Sequence, residues 1–206
     1  MKQTISIFIL STFVLAGCNN HSKQTNDNKN LNDTTKTKQA IMENKNFKTT
    51  ILVDKTPKEV FNAINNVRGW WSENIDGNTD KPDAEFLYHY KDVHICKMKI
   101  VEFVPGKKVV WLVLENQFNF TKDKSEWKGN KIVFEISEKD NQTQLQFTQL
   151  GLTSDYECYN VCHDAWTSYI QGSLQHLITT GKGKPNTKED DSLNTELIKK
   201  WGLPKK

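Results

Sequence analysis

A string of cysteine and histidine residues near the C-terminal end is the first candidate for chemistry. Cys158, Cys162 and His163 form a C-x-x-x-C-H pattern, but haem attachment uses C-x-x-C-H, which is one residue shorter. A zinc site is also disfavoured, because the two cysteines share one face of a predicted helix and His163 is rotated away from it. The sequence therefore predicts no metal site and no cofactor.

Acidic residues are the next candidates, as general acids or bases. Glu102, Glu115 and Glu135 lie in or beside predicted strands, and a carboxylate buried without a partner costs several kcal/mol. We therefore expect them on solvated faces. His89 and His94 fall on predicted strands whose orientation the pattern does not fix. No G-x-S-x-G, Walker or H-E-x-x-H motif is present, so no catalytic residue is predicted and an enzyme is less favoured than a binding protein.

Aromatic residues make the strongest case for a binding site. They reach 10% of a chain that is only 36% hydrophobic, and most of them lie between positions 47 and 178. A cavity lined by such rings, with a few hydroxyl groups, suits a small hydrophobic or planar molecule. The alternative is that the rings only fill the core. The candidate ligand-binding residues are Trp70, Trp71, Phe86, Tyr88, Tyr90, Met98, Trp111, Phe134, Trp166, Tyr169 and Ile170.

The first residues predict an export signal. A basic start precedes an apolar run, Ile5–Val14, which is too short to span a bilayer and is typical of a signal-peptide core. It ends in Leu-Ala-Gly-Cys at 15–18, which resembles the bacterial lipobox. We expect a signal peptide at 1–17, a lipidated Cys18 and a bacterial cell-envelope location, with Asn19 favouring the outer membrane. An ordinary secretory peptide with a chance cysteine is the alternative.

Lipidation would leave three cysteines, Cys96, Cys158 and Cys162. A disulfide from Cys96 to one of the other two is one interpretation, since envelope compartments can be oxidising. Three small buried apolar side chains is the other.

Charge and composition exclude some partner classes and suggest a tether. The net charge of +3 arises from 28 basic and 25 acidic residues, a balance that does not indicate nucleic-acid binding. Residues 18–45 are rich in Asn, Lys and Thr, too polar to offset the entropy of ordering, and predict a disordered tether.

The pattern of apolar and polar residues between positions 47 and 180 predicts an α+β domain. One strand at 47–53 precedes a helix that Thr56, Pro57 and Glu59 open as a capping box, and a second short turn follows. Alternating apolar positions then predict antiparallel strands, about six in all. The C-terminal helix is predicted from Asp155 to about Thr180, with Trp166, Ile170, Leu174 and Leu177 on one apolar stripe.

Four segments carry a resemblance to a known family. They are V-D-K-T-P-K-E-V-F-N-A-I-N at 53–65, R-G-W-W-S at 68–72, V-P-G-K-K-V-V-W at 104–111 and A-W-x-x-Y at 165–169. They resemble the START-like superfamily, SRPBCC, in its branch similar to the C-terminal domain of the activator of the heat-shock-protein ATPase. The resemblance implies a helix-grip fold: a curved antiparallel sheet around the long C-terminal helix, with a cavity between them. It implies no catalytic set.

The expected organisation is a START-like domain at 46–182 and a polar tail at 183–206. Leu193, Leu197 and Trp201 share one face of a short helix in that tail, which would dock on the domain or bind a partner. The first functional hypothesis is a membrane-tethered module that binds a small hydrophobic ligand. The alternatives are a protein-interaction or cochaperone-like module without a ligand, and a polyketide-cyclase-like enzyme. The sequence does not assign an oligomeric state.

Overall fold

Seven antiparallel strands form one sheet in the computed structural model, which describes residues 46–188. Their order across the sheet is β1-β7-β6-β5-β4-β3-β2, so only the β1–β7 pairing joins strands that are distant in the chain. The strands are β1 (Phe47–Val53), β2 (Ile75–Gly77), β3 (Glu85–Tyr90), β4 (His94–Val104), β5 (Lys108–Phe118), β6 (Lys131–Lys139) and β7 (Gln142–Leu150).

Helical segments precede and follow the main run of strands. Helix α1 (Pro57–Asn65) and a single 3₁₀ turn (Val67–Gly69) follow β1. The predicted capping box is confirmed: the Glu59 N–H donates to Thr56 Oγ1 at 3.2 Å, and the Thr56 N–H donates to Glu59 Oε2 at 2.8 Å. The C-terminal helix is continuous over 159–180. It comprises α2 (Tyr159–Thr167), a π-helical segment (Ser168–Leu174) and α3 (Gln175–Thr180).

The predicted helix-grip α+β fold is confirmed. All six strands expected from the sequence are present, and the seventh is the short β2, within the predicted loop 74–82. Two of its three residues are exposed, so no buried alternation marked it as a strand. The C-terminal helix begins at Tyr159 rather than Asp155, because residues 155–158 form turns.

Two bulges between β4 and β5 alter which side chains face the helix. The register shifts between Lys97 and Met98, and again between Ile100 and Glu102. The first shift leaves Leu114 without a partner, so the inward positions of β5 change from odd (Trp111) to even. Bulges also bend the strands that contain them, which suits a sheet that curves around a helix.

The apolar stripe of the C-terminal helix differs from the predicted one only at its last position. Ile170 and Leu174 are fully buried, but Ile178 is buried where Leu177 was expected, and Leu177 is only half-buried. A π-helical turn holds more residues than an α-helical turn. The π-helical segment therefore moves the inward position one residue further along the chain.

Several predictions concern parts of the chain outside residues 46–188. These are the signal peptide at 1–17, the lipidated Cys18 and its tether to 45, and the tail helix containing Leu193, Leu197 and Trp201. Within the described range, no helix is both long and apolar enough to cross a membrane.

Candidate functional site

A cavity of about 70 Å³ lies between the sheet and the first half of the C-terminal helix. Its walls come from the segment after the 3₁₀ turn, β3, the turn between β3 and β4, and the start of β4. The end of β5, the loop 119–130, and α2 with the first residues of the π-helical segment complete them. Five of the predicted ligand-binding residues line it. They are Trp71, Tyr88, Tyr90, Trp166 and Tyr169.

The other six predicted residues are buried in the adjoining core, away from the cavity lining. Trp111 illustrates this position, because its ring packs 4.8 Å from Phe134 and 5.1 Å from Phe86, between centroids. Trp70 donates its indole N–H to the carbonyl of Ile64 at 3.0 Å. The full set away from the lining is Trp70, Phe86, Met98, Trp111, Phe134 and Ile170. A role in ligand binding stays a prediction for all eleven residues.

Sequence analysis did not select the other lining residues as ligand-binding candidates, although it considered His94 and Cys162 for other roles. Phe118, at the end of β5, and Phe120, in the loop after it, both face the cavity from even-numbered positions. The earlier inward residues of β5 are odd-numbered, and the change at the Leu114 bulge cannot be predicted from an alternating pattern. Trp127 lies in the loop 119–130, which has no alternating or helical pattern of apolar residues from which its orientation could be predicted. The complete set that sequence analysis missed is Val93, His94, Phe118, Phe120, Trp127, Val161, Cys162 and Ala165.

The loop 119–130 is tied to the start of α2 by two carboxylates. Glu126 accepts hydrogen bonds from the backbone N–H groups of Glu157 at 2.5 Å and Cys158 at 3.0 Å. Glu157 in return accepts one from the backbone N–H of Lys122 at 2.8 Å. A carboxylate at a helix N-terminus satisfies N–H groups that have no partner within the helix, and it faces the positive end of the helix dipole. These bonds hold the loop against the helix as a wall of the cavity.

The three cysteines of the domain are small buried side chains, the second of the two interpretations of the sequence. Cys96, Cys158 and Cys162 are free and buried in the described chain, with no disulfide among them. The Trp127 indole N–H donates to the Cys158 sulfur at 3.3 Å, joining loop 119–130 to the helix again. Burial raises the pKa of the Cys96 and Cys162 thiols well above their ordinary value, so both stay protonated.

His94 is the cavity residue with the most distinctive chemistry. Its Nε2 lies 3.0 Å from Asn116 Oδ1, and its ring packs against Tyr88, Phe118 and Trp127. Burial lowers the pKa of His94 to about 3, and the hydrogen bond to Asn116 only partly opposes this. The imidazole is therefore neutral at physiological pH.

Comparison with known proteins settles the family. A family model described as "Activator of Hsp90 ATPase homolog 1-like protein", or AHSA1, matches residues 54–179, more than half of the chain. The chain belongs to the AHSA1 family. No curated protein sequence matches it significantly.

Solved structures show the same fold as this AHSA1 domain at low sequence identity. The Aha1 dimer from Colwellia psychrerythraea has a TM-score of 0.54 at 20% identity, covering 67% of this chain and 98% of its own. Protein SSP2350 from Staphylococcus saprophyticus has a TM-score of 0.51 at 14% identity, covering 68% and 95%. DynU16, described as a putative protein in the dynemicin biosynthetic locus, has a TM-score of 0.51 at 12% identity, covering 68% of this chain and 49% of its own.

The acidic candidates of the AHSA1 domain face away from the cavity, as expected. Glu102 pairs with Lys108 at 3.1 Å, and Glu115 pairs with Lys128 at 3.0 Å. Glu135 is exposed and accepts a hydrogen bond from Gln146. Within residues 46–188, no three His, Cys, Asp or Glu side chains are grouped so as to hold a metal ion.

The AHSA1 cavity is thus an apolar slot with one neutral imidazole on its wall. His94 would be a weak general base, because a nitrogen whose conjugate acid has a pKa of about 3 rarely takes a proton near neutral pH. It can still accept or donate a hydrogen bond. The geometry therefore suits recognition of a small molecule better than proton-transfer catalysis.

Proposed function

We propose that this AHSA1-family chain is a membrane-tethered envelope protein whose domain binds a small hydrophobic ligand between the sheet and the C-terminal helix. The observation that carries this proposal is the cavity itself, whose lining within residues 46–188 is mainly aromatic and contains no Asp, Glu, Lys or Arg. Apolar walls with a few placed polar groups are typical of small-molecule sites.

The cavity volume limits the size of the ligand. Drug-sized ligands occupy pockets of about 300–1,000 Å³, and an engineered cavity of about 150 Å³ binds benzene. A cavity of about 70 Å³ therefore accommodates one ring only if a wall side chain moves. Phe120 is the aromatic side chain best placed to move, because it is half-buried and follows β5 in the loop 119–130.

Truncation of Phe120 tests this cavity. The variant Phe120→Ala should bind toluene about tenfold more tightly than the wild type, because loss of the ring opens space for apolar contact. The dissociation constants can be measured by calorimetric titration of the purified full chain.

A matched control exists outside the cavity. Phe103 is also half-buried, but it packs on Phe61 with ring centroids 4.9 Å apart and does not line the cavity. Phe103→Ala should leave the toluene affinity unchanged. Failure of both the wild type and Phe120→Ala to bind toluene, at concentrations near its solubility limit, would contradict the proposed ligand site.

Membrane attachment has a separate test at Cys18. The lipobox-like string at 15–18 predicts that the Cys18 thiol carries the lipid. In a bacterial host, Cys18→Ala should therefore lose the acyl modification and move almost entirely from the membrane fraction to the soluble fraction. Mass spectrometry and membrane fractionation measure the two effects.

The control for that test is Asn20→Ala, which changes the neighbouring sequence and keeps the thiol. It should remain in the membrane fraction. If Cys18→Ala fractionates with membranes as the wild type does, the lipoprotein proposal is wrong, whatever the result for the ligand site.

A further inference from the structure

The hydrogen bonds around His94 define which of its nitrogens carries the proton. Asn116 Nδ2 donates to the backbone carbonyl of Lys124 at 3.1 Å, which fixes the orientation of the Asn116 side-chain amide. Asn116 Oδ1 is then the atom that lies 3.0 Å from His94 Nε2. An amide oxygen can only accept, so His94 must donate from Nε2. In a neutral imidazole this leaves Nδ1 with a free lone pair.

The ring of His94 is held in this orientation by its neighbours. The ring centroids of Tyr88, Phe118 and Trp127 lie 5.2, 4.4 and 5.0 Å from that of the imidazole. All three side chains line the cavity together with His94. Among residues 46–188 no group donates a hydrogen bond to Nδ1. Nδ1 is therefore the imidazole nitrogen available to a molecule in the cavity.

We propose that His94 Nδ1 selects the ligand of this cavity, which is a single-ring aromatic compound that carries one O–H or N–H donor. This inference rests on the proposed function, because it names the ligand class of the same site. The aromatic walls bind the ring face and edge, and Nδ1 accepts the hydrogen bond. A ligand of the same shape without a donor leaves Nδ1 unpaired when it excludes water, which costs binding free energy.

The test compares phenol with toluene on the full chain, because these probes differ mainly in a hydroxyl against a methyl group. The wild type should favour phenol, and His94→Phe should lower the ratio of toluene to phenol dissociation constants about tenfold. His94→Phe keeps a ring of similar size but leaves Asn116 Oδ1 without its donor, so its folding must be checked by circular dichroism.

A second measurement needs no variant. In the wild type labelled with ¹⁵N-histidine, the nitrogen spectrum should show His94 protonated on Nε2. Phenol should shift the Nδ1 resonance in the direction of hydrogen-bond acceptance, and toluene should not. Protonation on Nδ1 in the free protein would overturn the inference directly.

The outcomes separate this inference from the function on which it rests. Binding of both probes with an unchanged ratio in His94→Phe, or with no phenol-specific shift of Nδ1, overturns the selection by His94 and leaves the cavity function standing. Binding of neither probe refutes the cavity function, and the ligand class is refuted with it.

Discussion

Replacement of Trp166 by alanine is expected to lower the free energy of unfolding by about 3–5 kcal/mol, the usual cost of removing a buried indole ring. Trp166 is 1% exposed. Its ring centroid lies 4.7 Å from that of Phe147, 5.2 Å from Trp71 and 5.9 Å from Trp127. The substitution would thus remove contacts to the core and to the cavity wall at the same time.

Loss of the hydrogen bond between Trp166 and Gln149 should lower the free energy of unfolding further. The Trp166 indole N–H donates to Gln149 Oε1 at 2.6 Å, and Gln149 is fully buried. Gln149 Nε2 already has no hydrogen-bond partner in the described chain. Trp166→Ala would leave both ends of this amide unpaired, which costs about 1–3 kcal/mol more if water does not enter.

Urea denaturation of the wild type, Trp166→Ala and Trp166→Phe measures the total loss and the part of it that a smaller aromatic ring restores. Trp166→Phe keeps a six-membered aromatic ring but loses the pyrrole part of the indole with its N–H, so its free energy of unfolding should fall between those of the other two proteins. Uptake of an apolar fluorescent probe should rise in Trp166→Ala, because the cavity grows. Near-wild-type stability of Trp166→Ala would show that the ring does not pack between helix and sheet.

The strands that follow a simple period were predictable from the sequence. Phe86, Tyr88 and Tyr90 alternate on β3, and Cys96, Met98 and Ile100 are likewise buried on β4, all as expected. Alternation is informative here because one face of the sheet packs on the helix and the other is solvated. The capping box before α1 was predictable for a similar reason, since it depends on residues three positions apart.

The cavity was only half predictable, because its remaining walls depend on departures from regular geometry. The bulge at Leu114 changes the inward-facing positions of β5 from odd to even numbers. A leucine at that position does not indicate a bulge. The indole of Trp127 reaches the cavity because Glu126 binds the N–H groups at the start of α2, a contact between segments about 30 residues apart. The π-helical segment (Ser168–Leu174) likewise shifts the helix register in a way that a fixed helical period cannot represent.

The sequence places the segment after the C-terminal helix in the polar tail, yet the first residues of this segment pack on the domain. The Asn186 N–H donates to the Trp71 carbonyl at 3.0 Å, and the Glu73 N–H donates to the Asn186 carbonyl at 2.8 Å. Asn186 Nδ2 donates to the Tyr169 hydroxyl at 2.6 Å. Trp71 and Tyr169 both line the cavity. The hydrogen bonds from Asn186 therefore hold two residues of the cavity wall in place.

Gly183→Ala is expected to destabilise the domain by about 1–3 kcal/mol, the range typical of overpacking. A Cβ at Gly183 would lie 2.0 Å from the carbonyl oxygen of Gly69 and 3.3 Å from the Cα of Trp70. Both are backbone atoms at the end of the 3₁₀ turn, so they cannot rotate away as a flexible side chain would. The segment 183–188 must then move outward, and the hydrogen bonds of Asn186 weaken.

The chain offers a matched control with the same substitution and the opposite sign. A Cβ at Gly172 would have no atom within 4 Å, and Gly172 lies inside the C-terminal helix. Gly172→Ala should therefore raise stability by roughly 0.5–1 kcal/mol, since alanine loses less backbone entropy than glycine in a helix. Urea denaturation of both variants gives the two free-energy changes, and amide hydrogen exchange at Glu73 should accelerate only in Gly183→Ala. Equal stability of Gly183→Ala and the wild type, with unchanged exchange at Glu73, would mean that residues 183–188 do not support the cavity wall.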